Sequence, residues 1–127
     1  TTDRERKVRN QEALKLLKAG KINDAILIWE ELYGEWKYGA FPYVGAPDEV
    51  LNNLGFAYWK LKMYPESEKI LLECKQNFPQ RKSVYLNLGD LYRDMKNNKE
   101  ARTHYQEFLR LGTTEAQQKY VNAELLK

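Results

Sequence analysis

The stretch Leu54-Gly55-Phe56-Ala57-Tyr58 returns as Leu88-Gly89-Asp90-Leu91-Tyr92, and from Gly55 to Gly89 the step is 34 residues. The copy extends outward. Asn53 recurs as Asn87, Leu51 is answered by Tyr85, and Leu71 by Tyr105. A period of this length belongs to a supersecondary unit that cannot bury its apolar face alone and does so against its neighbours. Glycine inside a helix costs about 1 kcal/mol relative to alanine. Gly55 and Gly89 therefore imply a partner helix that comes close enough to offset that cost.

Around the repeat, the apolar spacing is helical throughout. Asn10 to Ala19 clusters Ala13, Leu14, Leu16 and Leu17 before Gly20 breaks the pattern. The next helix carries Ala25, Ile26, Ile28, Trp29, Leu32 and Tyr33, with Asn23 or Asp24 expected as its cap. Gly34 to Pro47 reads as irregular, because Gly34, Gly39, Pro42, Gly45 and Pro47 crowd there. Its aromatic residues Trp36, Tyr38, Phe41 and Tyr43 suit either a loop folded over the first hairpin or a rim element touching a partner. Asp48 and Glu49 then suit a helix start, and Leu51, Leu54, Gly55 and Tyr58 share one face. Tyr64-Pro65 opens a helix presenting Ser67, Leu71 and Cys74 that ends before Pro79. The third unit repeats this with Tyr85, Leu88, Gly89 and Tyr92, a polar turn at Lys96-Asn97-Asn98, then Ala101, Tyr105 and Phe108. Gly112 stops it, and Thr114 with Glu115 begins a last helix.

With 127 residues, 43% hydrophobic and 31% charged, the chain suits one solvated helical domain that buries roughly two-thirds of its unfolded surface. The net charge of +3 comes from 21 basic and 18 acidic residues that are interspersed, even in residues 1–9. That excludes a nucleic-acid or membrane-surface footprint of the usual kind. One cysteine, Cys74, allows no internal disulfide. No apolar run is long enough to insert in a membrane. An opening at Thr1 suits a fragment or a processed form, so the compartment stays open, with the cytoplasm slightly favoured over an exported form.

These residues resemble the tetratricopeptide repeat family: units of 34 residues, each two antiparallel helices, stacked as a superhelix. Residues 48–81 carry its pattern with Leu51, Leu54, Gly55, Tyr58, Ser67, Leu71, Cys74 and Pro79. Residues 82–115 carry it with Tyr85, Leu88, Gly89, Tyr92, Ala101 and Tyr105, departing at Phe108, where a small residue is usual, and at Thr113, where proline is usual. A degenerate first unit, about residues 6–37, has Arg9 and Glu12 where apolar residues are expected. The resemblance implies an all-α fold: an α-solenoid of three helix hairpins, an insertion at about 34–47, and a capping helix at about 114–127, all in a single domain spanning 1–127.

Opposite the packing face of the first helix in each unit stand Glu49, Asn52, Asn53, Phe56 and Lys60. Their equivalents are Ser83, Leu86, Asn87, Asp90 and Asp94 in the third unit, and Lys7, Asn10, Gln11, Leu14 and Lys18 in the first. In the family this face lines a concave groove that receives extended peptides. Phe56, Leu86 and Leu14 are apolar there, and serve either a ligand or the seal between neighbouring helices. Asn53 and Asn87 each offer a donor and an acceptor, so they can pair with a peptide backbone at N–H and C=O together, as similar asparagines do in family members. The expected peptide-binding set is Asn53, Asn87, Phe56, Lys60, Asp90, Asn10 and Leu14. Members that clamp a chaperone's terminal carboxylate use lysines, an arginine and asparagines here. Only Asn53 matches, with Asn10, Leu14, Ser83 and Asn87 at the other positions, so such a tail is not the expected ligand.

Catalysis has no constellation in this sequence. His104 reads as a solvated residue on an outer helix face, and Cys74 as a small apolar packing residue. No spacing suits a metal and no glycine-rich loop suits a phosphate. Glu30, Glu31, Glu66 and Glu68 are ordinary helix-surface carboxylates. No enzyme and no cofactor are expected. The groove-side mixture of Glu49, Asp90 and Asp94 with Lys7, Lys18 and Lys60 lacks the basic stripe of an RNA-binding repeat. The expectation is a module that binds a peptide or protein segment. The alternative is a structural, self-assembling or docking domain of a larger complex, for which homo-oligomers stay open.

Overall fold

The computed structural model describes residues 2–40 and 42–127. Seven helices and no strand occur among them: α1 (Asp3–Lys18), α2 (Ile22–Tyr38), α3 (Pro47–Lys60), α4 (Tyr64–Asn77), α5 (Lys82–Asp94), α6 (Asn98–Arg110) and α7 (Glu115–Leu125). Each helix packs on the next in chain order, and α3 also meets α5 directly. Three hairpins, α1–α2, α3–α4 and α5–α6, thus form an all-α solenoid, with α7 against the end of the third.

The glycines of the repeated stretch sit at the hairpin contacts. A methyl group on Gly55 would overlap the side chain of Leu71, and one on Gly89 would overlap the ring of Tyr105. Ser67 Oγ donates to the Gly55 carbonyl at 2.7 Å, so α4 touches the backbone of α3 itself. Leu51, Leu54 and Tyr58 on α3, and Tyr85, Leu88 and Tyr92 on α5, are buried with them. Burial of such side chains is worth about 1.5–3 kcal/mol each, which outweighs the glycine's helix cost.

Pro47 occupies the first turn of α3, where its missing N–H is no loss, followed by Asp48 and Glu49 at the positive end of the helix. Thr114 caps α7 in a reciprocal capping box with Gln117. On α7, Lys119 and Asn122 stand where the preceding units place apolar pairs, Leu51 with Leu54 and Tyr85 with Leu88. Val121 is its one fully buried residue, as suits a solvated capping helix.

Two local expectations change. Gly34 does not stop α2, which continues to Tyr38, so the irregular described residues are 39–40 and 42–46 and do not begin at 34. The extension holds because Trp36 lies between Tyr33 and Phe78, with ring centroids 6.1 and 6.0 Å away. Neither Asn23 nor Asp24 caps α2. The N-cap is Lys21, without a side-chain bond, and both polar residues lie inside the first turn. Tyr43 is covered by the Arg6 guanidinium at 4.2 Å, which folds part of the loop over α1, whereas Tyr38 is exposed. Phe41 and Thr1 lie outside the described residues.

The first hairpin is degenerate for a visible reason. Arg6 and Arg9 reach Glu35 at 3.2 and 3.4 Å, and Arg9 also pairs with Glu31. Ion pairs close this end where the later units use apolar side chains.

Candidate functional site

Along the first helices of the three units runs a chain of amides. Trp29 on α2 donates its indole N–H to Asn10 Oδ1 at 2.7 Å, and Asn53 Nδ2 donates to the same oxygen at 3.5 Å. One unit further, Asn87 Nδ2 donates to Asn52 Oδ1 at 2.9 Å, and Asn52 Nδ2 to Ser83 Oγ at 3.1 Å. Since an indole can only donate, Asn10 must present its oxygen to Trp29. Asn53 must therefore turn its NH2 toward Asn10, and its own Oδ1 lies on the other side of the amide plane. Asn53 Oδ1 and Asn87 Oδ1 have no hydrogen-bond donor among the described residues, and both side chains are half-buried.

Asn10 itself is a correction. It is only 8% exposed and its Oδ1 is engaged by both Trp29 and Asn53, so it orients Asn53, and what surface it keeps faces the small cavity beside the loop. The helical wheel placed it correctly around α1, but α2 supplies a Trp29 that covers it. Asp90 is likewise committed internally. Its Oδ1 accepts from Tyr105 Oη at 2.6 Å and Tyr120 Oη at 2.8 Å, with Arg93 at 3.4 Å. Burial raises its carboxyl above the usual value, against the lowering effect of the two tyrosine hydroxyls and Arg93. The capping helix covers it, since Glu124 on α7 also pairs with Arg93 at 3.0 Å.

The three apolar candidates separate. Leu14 and Leu86 are half-buried and pack against the core, as seals between helices do. Phe56 instead stands against Trp59 at 5.5 Å, tilted by 46°. Lys60 Nζ lies 5.8 and 5.7 Å from these two ring centroids. Trp59 was absent from the sequence-based set, although it lies one helical turn after Phe56 and that spacing could have found it. Its indole N–H donates to Asp94 Oδ2 at 2.7 Å, which bridges α3 to α5 and holds the ring in place.

A small cavity where the 39–46 loop meets α1 and α3 is lined by Arg6, Lys7, Asn10, Tyr43 and Glu49. It marks the end of the groove side nearest the loop.

His104 corrects the other expectation. It is 2% exposed and lies between Tyr85 and Tyr92, at 6.5 and 5.3 Å. Its Nδ1–H donates to the Glu100 carbonyl at 2.7 Å, and its Nε2 accepts from Lys75 Nζ at 3.0 Å. A carbonyl only accepts and an ammonium only donates, so the ring is neutral with its proton on Nδ1. Burial lowers its pKa from the usual value. The wheel of α6 alone could not show that α4 covers it. Cys74 is fully buried and its thiol pKa is pushed up to about 12 by burial, as an unreactive packing residue requires. No group of His, Cys, Asp and Glu among the described residues is arranged to hold a metal, and no helix there is long and apolar enough to cross a membrane.

The tetratricopeptide repeat model matches residues 48–113, more than half of the chain. The chain belongs to the tetratricopeptide repeat family. The type IV pilus assembly protein PilF of Pseudomonas aeruginosa is 34% identical over 79 residues, which is 61% of this chain but 31% of PilF. The chain thus spans under a third of that relative's length. The first tetratricopeptide domain of Spaghetti (RPAP3), solved with the HSP90 peptide SRMEEVD, superposes with a TM-score of 0.79 at 18% identity, covering 98% of this chain and 90% of that one. The Arabidopsis OM64 domain gives 0.78 at 17% identity, covering 97% and 95%. At such identities these two structures speak for the tetratricopeptide fold alone. Tetratricopeptide repeats are protein-interaction modules, and this chain carries that architecture over nearly its whole length.

Proposed function

We propose that the face formed by α1, α3 and α5 binds an extended peptide or protein segment, with Asn53 and Asn87 pairing with its backbone. The observation carrying this is the amide chain. Each of the two asparagines spends an N–H on the preceding unit and keeps an Oδ1 free to accept a backbone N–H. Such pre-orientation reduces the ordering cost of binding. Phe56, Trp59 and Lys60 supply side-chain contact beside them. The domain is read as a single unit of 1–127 acting by binding and not by catalysis. The peptide in the solved Spaghetti domain makes a groove ligand a natural occupant for this fold. Asn53→Ala combined with Asn87→Ala should abolish capture from an immobilised peptide array while the helical circular dichroism stays the same. Unchanged capture would sink the reading.

A second reading, a docking domain in a larger assembly, draws on the similarity to a pilus assembly protein and on the exposed Tyr38 at the end of α2 and Val44 in the loop that follows. Light scattering across a concentration series tests its self-assembling form, which a strict monomer removes.

A further inference from the structure

The charges facing the groove are not equivalent once their partners are counted. On the third unit and cap the acids are already engaged: Asp94 by Trp59 at 2.7 Å and Arg93 at 3.0 Å, Asp90 by two tyrosines and Arg93, and Glu124 by Arg93 and Lys127 at 3.0 and 2.9 Å. On the first two units, Lys7, Lys18 and Lys60 form no ion pair with any described residue. The arginines of the same half, Arg6 and Arg9, are paired. The acids there without an ion pair include Asp3 and Glu49, which line one cavity with Lys7; Glu49 is eleven residues before Lys60 and so about 16 Å away along α3. One guanidinium, Arg93, serves all three acids, so the third unit and cap stay net acidic, whereas Lys18 and Lys60 on the first two units have no ion-pair partner among the described residues. These residues stand at equivalent positions at the C-terminal ends of α1 and α3. Beside Lys60 lies the one groove-side aromatic pair that the core does not fully claim. Phe56 is half-buried, and Trp59 is held edge-on by Asp94.

We infer that this half of the groove takes an acidic protein segment carrying an aromatic or large aliphatic side chain, which stands on Phe56 and Trp59 while its neighbouring carboxylates pair with Lys18 and Lys60. The inference rests on the groove being a peptide site. An internal segment suffices, because no free terminal carboxylate enters the contact. A single-stranded nucleic acid would also meet rings and lysines. The committed acids at Asp90, Asp94 and Glu124, and an amide chain suited to peptide backbone, favour protein.

The test titrates the full chain with end-blocked labelled peptides of about nine residues, followed by anisotropy. One carries Phe followed by two Glu, one replaces that Phe by Ala, one replaces the acids by Lys, and one is neutral. An oligouridylate of similar length is the fifth probe. The acidic Phe peptide should bind best. Phe56→Ala should weaken it about tenfold, and Lys18→Glu with Lys60→Glu should weaken it by at least about tenfold. Higher salt should weaken it further. All substituted side chains lie outside the buried core, and circular dichroism is to check that each variant is folded. If neutral or basic peptides bind as well as the acidic one, and the Asn53/Asn87 double variant abolishes all of them, the acidic preference falls while the groove reading stands. If no peptide of any class binds, the groove reading falls and this inference with it. Oligouridylate displacing the acidic peptide would overturn the assignment to protein.

Discussion

Trp29 Nε1 donates to Asn10 Oδ1 at 2.7 Å, a bond between the two helices of the first hairpin. It is buried, and it determines which way the Asn53 amide faces. Removing the acceptor leaves the indole N–H without a partner, and a buried donor left unmade costs about 1–3 kcal/mol. Asn10→Ala should therefore lower the urea-unfolding stability by that amount, a large effect for an asparagine. An unchanged unfolding midpoint would contradict the buried bond.

Alanine in place of glycine ordinarily stabilises a helix by about 1 kcal/mol. At Gly55 the added methyl meets Leu71, so Gly55→Ala should destabilise by about 1–3 kcal/mol through overpacking. Combined with Leu71→Ala, which makes room, it should cost clearly less than the sum of the two single changes. Additivity in the double-mutant cycle would show that the two residues do not touch.

His104 makes stability pH-dependent. Its folded pKa lies below the usual 6.5, because burial disfavours the charged ring and Lys75 faces it. Glu100 and Glu107 act in the opposite direction, and Tyr85 and Tyr92 complete its surroundings. Below pH 6.5 the unfolded chain takes up the proton more readily than the folded one, so the contribution is complete above that pH and is lost as pH falls below it. Urea unfolding compared between about pH 8 and pH 5.5 should show a loss that His104→Gln lacks. Parallel curves for the two proteins would refute the assignment.

The hydroxyl of Tyr120 donates to Asp90 and accepts from Arg93 at 3.0 Å, tying α7 to the third unit. Tyr120→Phe should loosen this helix by about 0.5–1.5 kcal/mol. The loss should appear as faster amide exchange confined to α7, with α3 to α5 unchanged. Uniform protection would mean that Val121 and the Glu124–Arg93 pair hold the cap without that hydroxyl.

Much of the proposed binding face was legible in the sequence. Asn53, Phe56, Lys60 and Asn87 follow from the helical period and the 34-residue step, and the structure leaves them partly accessible. Asn10 and Asp90 follow from the same geometry yet are covered by Trp29 and by Tyr105 with Tyr120. Trp59, one helical turn after Phe56, was within reach of the same period, but its bond to Asp94, 35 residues away, was not.

The repeat period, the apolar faces of α3 to α6, the close approach at Gly55 and Gly89, and the burial of Cys74 were all contained in the sequence, since each depends on spacing along one helix or on its copy one unit later. Only the tertiary structure decided that Gly34 lies within α2, that His104 is buried and neutral, and that Asp90, Asp94 and Glu124 are engaged while Lys18 and Lys60 have no ion-pair partner. A helical period gives the direction of a side chain about its own axis. What stands in that direction depends on the offset and rotation of the neighbouring helix, which packing against other units sets.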